Sequence, residues 1–258
     1  MNLQMNAEAA SGYTSDSQKV RMMTGSWAAE NLYCPFCGCQ KISCCEDSRM
    51  NADFYCPDCG ERYELKSKNG ALGDHIAVGA YDTMLQRINA GSIPNYFFIH
   101  YSRTDLKVKN IVMVPKYFIM PEVIEKREPL SDKAKQARWS GCNISFNQIP
   151  ADGKILIVKD GEAQPMDKVI SQVEKTEFIG QYNLSERSWV LDVLRCVDKM
   201  GERDFAAEDV YQFEEAFSQK HSDDQHAKDR IERLLQILNE NGMIEFCGDG
   251  CYRRILDA

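Results

Sequence analysis

Along residues 15–30 (SDSQKVRMMTGSWAAE) the apolar positions Val20, Met23 and Trp27 fall on one face, with Ser15 or Ser17 placed to cap, so the spacing predicts a helix. Asn51–Tyr55 and Arg62–Ser67 read instead as two short strands of one hairpin. Residues 74–90 carry Ile76, Tyr81, Met84 and Ile88 and predict an amphipathic helix. Two apolar runs, 94–102 (PNYFFIHYS) and 107–115 (KVKNIVMVP), predict buried strands joined by a turn around Thr104 and Asp105. A short helix is expected over 120–127 and a strand over 154–161. This order of elements predicts an α/β core around a mixed sheet.

Between Glu162 and Leu184 the pattern weakens and turn residues collect, which divides the chain into a first domain over 1–182 and a second over 183–258. The second begins with a helix capped by Ser185, with Trp189, Leu191, Leu194 and Val197 as its apolar face and Gly201 at its end. A shorter helix is expected over 208–217. A longer one follows over 221–242, with Ile231, Leu234, Leu235 and Leu238 as its stripe and Gly242 as its stop. The last stretch alternates around Gly248-Asp249-Gly250, a hairpin signal. Three helices and a C-terminal hairpin predict an α+β winged helix-turn-helix.

Composition narrows the class. The 258 residues are 43% hydrophobic and 27% charged, ordinary for a globular protein with room for one large and one small domain. No apolar run reaches the roughly 18 residues that span a membrane. The first residues (MNLQMNAEAASGYTSDSQ) lack the basic-then-apolar pattern of a secretory signal, so a cytoplasmic protein is expected. The net charge of −8 does not exclude a nucleic-acid partner, because phosphate contacts depend on local patches.

Four of the eleven cysteines form two Cys-x-x-Cys pairs, Cys34/Cys37 and Cys56/Cys59, with 18 residues between Cys37 and Cys56. That spacing fits a four-thiolate zinc site. Four thiolates complete a tetrahedron around Zn²⁺ and leave no open position, so such a site is structural. The zinc would then close the tip of the hairpin.

A second constellation runs through the first. Glu64 and Lys66 are two apart on a presumed strand and project from one face, while Tyr63 and Leu65 point to the other. Asp53 lies on the partner strand. A magnesium ion takes hard oxygen ligands, commonly one or two carboxylates plus phosphate and water. Asp53 and Glu64 supply the carboxylates and the Leu65 carbonyl a third oxygen. Lys66 beside the ion would orient and help deprotonate an attacking water and offset phosphate charge. The same D…ExK pattern also arises from three surface charges on a solvated hairpin.

The interleaved CPxC…ADFYCxxC…ELKSKxG, the Gly79–Met84 stretch (GAYDTM), the PNYFF run and Trp139–Ile144 (WSGCNI), with the C-terminal winged helix, resemble the DpnI family of methyl-directed type II restriction endonucleases. The resemblance runs along essentially the whole chain. It implies a PD-(D/E)XK restriction-endonuclease-like core with a zinc knuckle, followed by a winged-helix domain. It implies magnesium-dependent cleavage of double-stranded DNA at GATC sites whose adenine carries an N6-methyl group, with Asp53, Glu64 and Lys66 as catalytic residues. Ala52 stands where the motif has its nominal proline, a position with no chemical role.

The resemblance also implies that both domains read the methyl group. In the first, Trp139 is the candidate sensor, with Lys133, Lys135 and Arg138 on phosphates. In the second, His226, Lys228, Arg230 and Arg233 lie on or beside the recognition helix, on a face expected opposite Ile231 and Leu235, and Arg253 and Arg254 lie on the wing. Two readers on one chain fit a monomer. Two other readings stay open: a non-catalytic zinc-ribbon and winged-helix DNA-binding regulator, and a repair nuclease indifferent to methylation.

Overall fold

A computed structural model describes residues 1–45, 52–129, 140–201, 203–213, 217 and 226–255. The chain forms two compact units, Met1–Glu174 and Lys175–Ala258. Among the described residues no helix is long and apolar enough to cross a membrane.

The first unit is built on a mixed sheet of seven strands: β1 (Ser43–Cys44), β2 (Phe54–Tyr55), β3 (Arg62–Asn69), β5 (Asn95–Ser102), β6 (Lys107–Val114), β9 (Ile155–Lys159) and β10 (Glu162–Ala163), side by side in that order. Strand β5 is the centre. Tyr96, Phe97, Phe98 and Ile99 are all fully buried, which explains its unbroken apolar run: both faces are covered. Strands β3 and β5 are parallel, with Glu64 opposite Tyr96 and Lys66 opposite Phe98; the other pairings in the sheet are antiparallel. Parallel neighbours need a crossover. Here it consists of β4 (His75–Ala80) and helix α2 (Tyr81–Asn89).

The expected helix over 74–90 is therefore half strand. Residues His75–Ala77 pair with β8 (Gly141–Ser145), which in turn pairs with β7 (Ile124–Lys126), making a second, three-stranded sheet. The partners that hold Ile76 extended lie more than sixty residues away, so local helical spacing misleads there. The helix expected over 120–127 likewise resolves into a 3₁₀ turn, Pro121–Val123, and β7.

Helix α1 (Asp16–Asn31) follows the Ser15 cap as expected and buries Met23, Thr24, Trp27 and Ala28. It lies on the face of β3 that carries Tyr63, Leu65 and Ser67; Thr24 Oγ1 is 3.3 Å from Ser67 Oγ. The opposite face, with Glu64 and Lys66, is the α2 side, where Arg87 reaches Glu64. The stretch read as patternless, 162–184, carries helix α3 (Met166–Glu174), short and with only Val169 and Val173 fully buried.

The second unit opens with α4 (Leu184–Met200), capped by Asn183 rather than Ser185: Asn183 Oδ1 accepts the Glu186 amide, and the Glu186 carboxylate accepts the Asn183 amide. Then follow β11 (Phe205–Ala206), α5 (Ala207–Tyr211), α6 (Ala227–Glu240), β12 (Ile244–Gly248) and β13 (Cys251–Arg254). The stripe of α6 is buried as expected. Asp249 and Gly250 both have positive φ, 49° and 74°, the signature of a tight two-residue hairpin turn. β11 adds a third strand beside β13 that local pattern did not announce.

Candidate functional site

The two Cys-Pro-x-Cys-Gly turns are near copies. In each, the glycine amide donates to the carbonyl of the first cysteine (Gly38 to Cys34, Gly60 to Cys56) and the glycine takes a positive φ, 74° and 77°. The turns face each other, so Cys34, Cys37, Cys56 and Cys59 bring their sulfurs within 4.8 Å of one another, with Cys34–Cys59 and Cys37–Cys56 at 3.5 Å. Tetrahedral thiolates at about 2.3 Å from an ion stand about 3.8 Å apart, so this cluster can hold a metal ion such as zinc. Burial pushes the Cys34 thiol up to about 11, against the Tyr63 hydroxyl 3.0 Å away, which pulls it down. Burial also raises Cys56, but the Cys59 and Asp58 amides and the neighbouring thiols outweigh it and hold this group at about 7.

Tyr63 leads from that cluster into the second site. It is fully buried, stacks on Phe97 at 4.7 Å, and precedes Glu64. Strand β2 pairs with β3 only as far as Tyr63, and the Asp53 amide donates to the Tyr63 carbonyl. Past that point Asp53 replaces a strand with a side chain: its Oδ2 accepts the Leu65 amide at 2.8 Å. In an extended strand the amide and carbonyl of one residue face the same side, so the Leu65 carbonyl opens beside Asp53 too.

Asp53, Glu64, Leu65 and Lys66 line one groove of about 1130 Å³, which is also lined by α1 residues between Asp16 and Ser26. The Glu64 carboxylate is only 15% exposed and is held at both oxygens. Lys66 Nζ is 2.6 Å from Oε1; Arg87 Nη1, 3.2 Å, and the Tyr96 hydroxyl, 3.3 Å, donate to Oε2. Burial, reinforced by the Glu64 charge, holds the Tyr96 hydroxyl well above the usual range, so it remains a proton donor. Arg21 approaches Asp53 Oδ1 at 3.7 Å from an exposed position on α1.

Arg87 and Tyr96 were not among the residues expected from sequence. Arg87 had a signal: three after Met84 and one before Ile88, it places a charge in the apolar stripe of α2. Tyr96 had a weaker one, a hydroxyl at the head of the apolar run Phe97–Ile99. Trp139, Lys133, Lys135 and Arg138 lie outside the described residues. Their described neighbour Ser140 accepts a hydrogen bond from the Tyr81 amide at the start of α2.

In the second unit, His226 precedes α6 and is exposed, as is Arg233. Arg230 does not point away from the apolar stripe: its guanidinium lies 5.2 Å from the centre of the Trp189 ring, because position 230 flanks the stripe on the α4 side. Lys228 lies 5.5 Å over the Tyr211 ring on the other flank. Arg253 on the wing is half exposed and grips Asp204 with two hydrogen bonds, 2.7 and 3.0 Å. Arg254, expected on the wing surface, is instead 95% buried, since its residue is 5% exposed; it donates to the Met243 carbonyl and pairs with Asp198 at 3.0 Å, which makes it part of the core.

Two family models match the chain. Residues 1–182 match the DpnI model, described as the Dam-replacing family, and residues 185–254 match the Dam-replacing helix-turn-helix domain. The molecule is thus a mixed α/β unit followed by a helix-turn-helix domain. It belongs to the DpnI, or Dam-replacing, family. Membership supports a methyl-dependent restriction enzyme with a DNA-binding helix-turn-helix domain.

Proposed function

We propose that the protein is a magnesium-dependent type II restriction endonuclease of the PD-(D/E)XK kind that cleaves double-stranded DNA at GATC sites carrying N6-methyladenine. The observation that carries this reading is the convergence of Asp53, Glu64 and Lys66 in one groove of a DpnI-family chain. The donor set suits a hard cation: two carboxylates and a backbone carbonyl, with no soft ligand required. Asp53, Glu64 and the Leu65 carbonyl would hold the ion. When bound, magnesium supplies Lewis-acid stabilisation of the phosphate and a more acidic water.

The chain's own residues do the rest. Two carboxylates (Asp53, Glu64) are balanced by Lys66 and Arg87, so a divalent ion leaves the site with net positive charge to meet a phosphodiester. The Leu65 amide fixes Asp53, and Lys66 offers its ammonium protons beside Glu64, where it orients a water and offsets phosphate charge. The thiol cluster holds zinc as a structural ion and takes no part in the chemistry.

Specificity requires gain from a methyl group, which only apolar or aromatic contact provides. One such contact is worth about 1–3 kcal/mol, or ~10–200-fold, so two independent readers multiply a modest selectivity. Trp139, flanked by Lys135 and Arg138, reads it in the nuclease domain over 1–182. The winged helix over 183–258 places α6 in the major groove with His226, Lys228, Arg230 and Arg233, and Arg253 on the wing. A cytoplasmic monomer, cutting one strand at a time, suits this arrangement.

The test is one plasmid prepared with and without adenine methylation and digested in magnesium. We expect cleavage of the methylated form alone, and none by Asp53→Ala with DNA binding retained. Equal cutting of both forms removes the methyl specificity; an Asp53→Ala protein as active as wild type removes the catalytic assignment.

A further inference from the structure

The function above needs Glu64 as a metal ligand, yet Glu64 sits on the α2 side of the sheet at 15% exposure, where an uncompensated carboxylate is costly. Its two oxygens are treated differently. Oε1 meets Lys66, a residue of the groove. Oε2 meets Arg87 and Tyr96, neither of which lines the groove: Arg87 is itself only 17% exposed, and Tyr96 is fully buried with its hydroxyl also 3.5 Å from Met84 Sδ. These two come from elements on either side of the crossover turn, α2 and β5, and each reaches the same atom.

We propose that Arg87 and Tyr96 are positioning residues for the magnesium site: they hold Glu64 by Oε2 from behind, so that Oε1 alone is presented to the groove. The proposal rests on the assignment of Glu64 as a metal ligand. A carboxylate free to rotate in a part-buried position would turn either oxygen, or neither, toward an ion. Two donors on one oxygen fix that rotation, and they leave only the Lys66 contact to be exchanged on loading. Arg87 also keeps a positive charge 3.2 Å from Oε2 when Lys66 turns to the substrate. Groups behind a metal-ligating carboxylate are typically worth ~10–100-fold in metal affinity, which sets the size of the effect.

The experiment uses the full chain. Magnesium binding is measured by calorimetry without DNA, and cleavage of fully methylated plasmid is followed against magnesium concentration. For Arg87→Met we expect at least about tenfold weaker magnesium binding and the same shift in the magnesium needed for half-maximal rate. DNA affinity without magnesium should not change. Arg87→Lys should restore most of the loss, and Tyr96→Phe, which deletes one hydroxyl, should give a smaller shift in the same direction. Glu64→Gln is the control and should be inactive. If it is inactive while Arg87→Met and Tyr96→Phe keep wild-type magnesium dependence, positioning is overturned and the catalytic reading survives. Should Arg87→Met fail to fold, Tyr96→Phe alone decides. A fully active Glu64→Gln overturns the reading beneath and the proposal with it.

Discussion

The four-thiol cluster takes all its donors from two turns of one local pattern, each with its own glycine and amide-to-carbonyl bond. The acidic groove takes its groups from the approach to β2, from β3 and from α1, and its supports from α2 and β5. The first is complete in its own two turns; the second lines a groove. Both draw on the same β2–β3 hairpin, which carries Cys56 and Cys59; Tyr63 touches Cys34 on one side and Glu64 begins the other site. A rigid, sequence-local cluster thus fixes a strand whose next residues belong to a site assembled over distance.

Removing the thiol cluster should have the largest effect on both sites. Cys56→Ser should cost several kcal/mol of stability, because metal binding at a structural site is folding free energy. Added magnesium should not restore cleavage. Chemical denaturation with zinc analysis checks this, and an unchanged unfolding midpoint would separate cluster from fold. Asn95→Ala is expected to cost less, about 2–3 kcal/mol. The Asn95 amide donates to Glu61 Oε2 at 2.8 Å and to the Arg62 carbonyl, and its oxygen accepts the Lys116 amide, so it ties the second knuckle to the start of β5. A drop in stability with a matching drop in cleavage is the expected result; a stability loss with full activity would show that the two sites are less tightly joined. The smallest effect belongs to Tyr63→Phe, roughly 1 kcal/mol, with faster zinc loss to a chelator and an unchanged cleavage rate at saturating magnesium. A changed rate would mean that Tyr63 serves the chemistry and not only the cluster.

The same contrast explains what the sequence disclosed. The knuckles were legible because their ligands are near neighbours and each turn specifies itself. Strands β5 and β6 were legible because burial on both faces leaves apolar runs, Tyr96–Ile99 in one and Ile111–Val114 in the other. The strand His75–Ala80 was not, since its extended form depends on β8, nor was Asn183 as the cap, since two capping residues stood within one turn. Asp53, Glu64 and Lys66 had a pattern that chance also produces, and the family resemblance lent it weight that their spacing did not. Arg230 shows the limit on surface residues: helical phase told that it lies off the stripe, but not that Trp189 offers it a ring. Arg254 shows the same limit in reverse, a charge on a hairpin that the fold turns inward to Asp198.

The crossover between β3 and β5 has a consequence for the order of synthesis. Once Gly60 has left the ribosome both knuckles are present, and the thiol cluster has every donor it needs. Glu64 follows a few residues later, but Arg87 and Tyr96 emerge only after the crossover, and β3 has no parallel partner until then. Contacts of such sequence separation form late. On the proposed reading, a chain interrupted before β5 carries a metal-ready clip and two unsupported carboxylates. On that same reading the site is complete only when its central strand is in place, and unfinished copies stay harmless to the DNA around them.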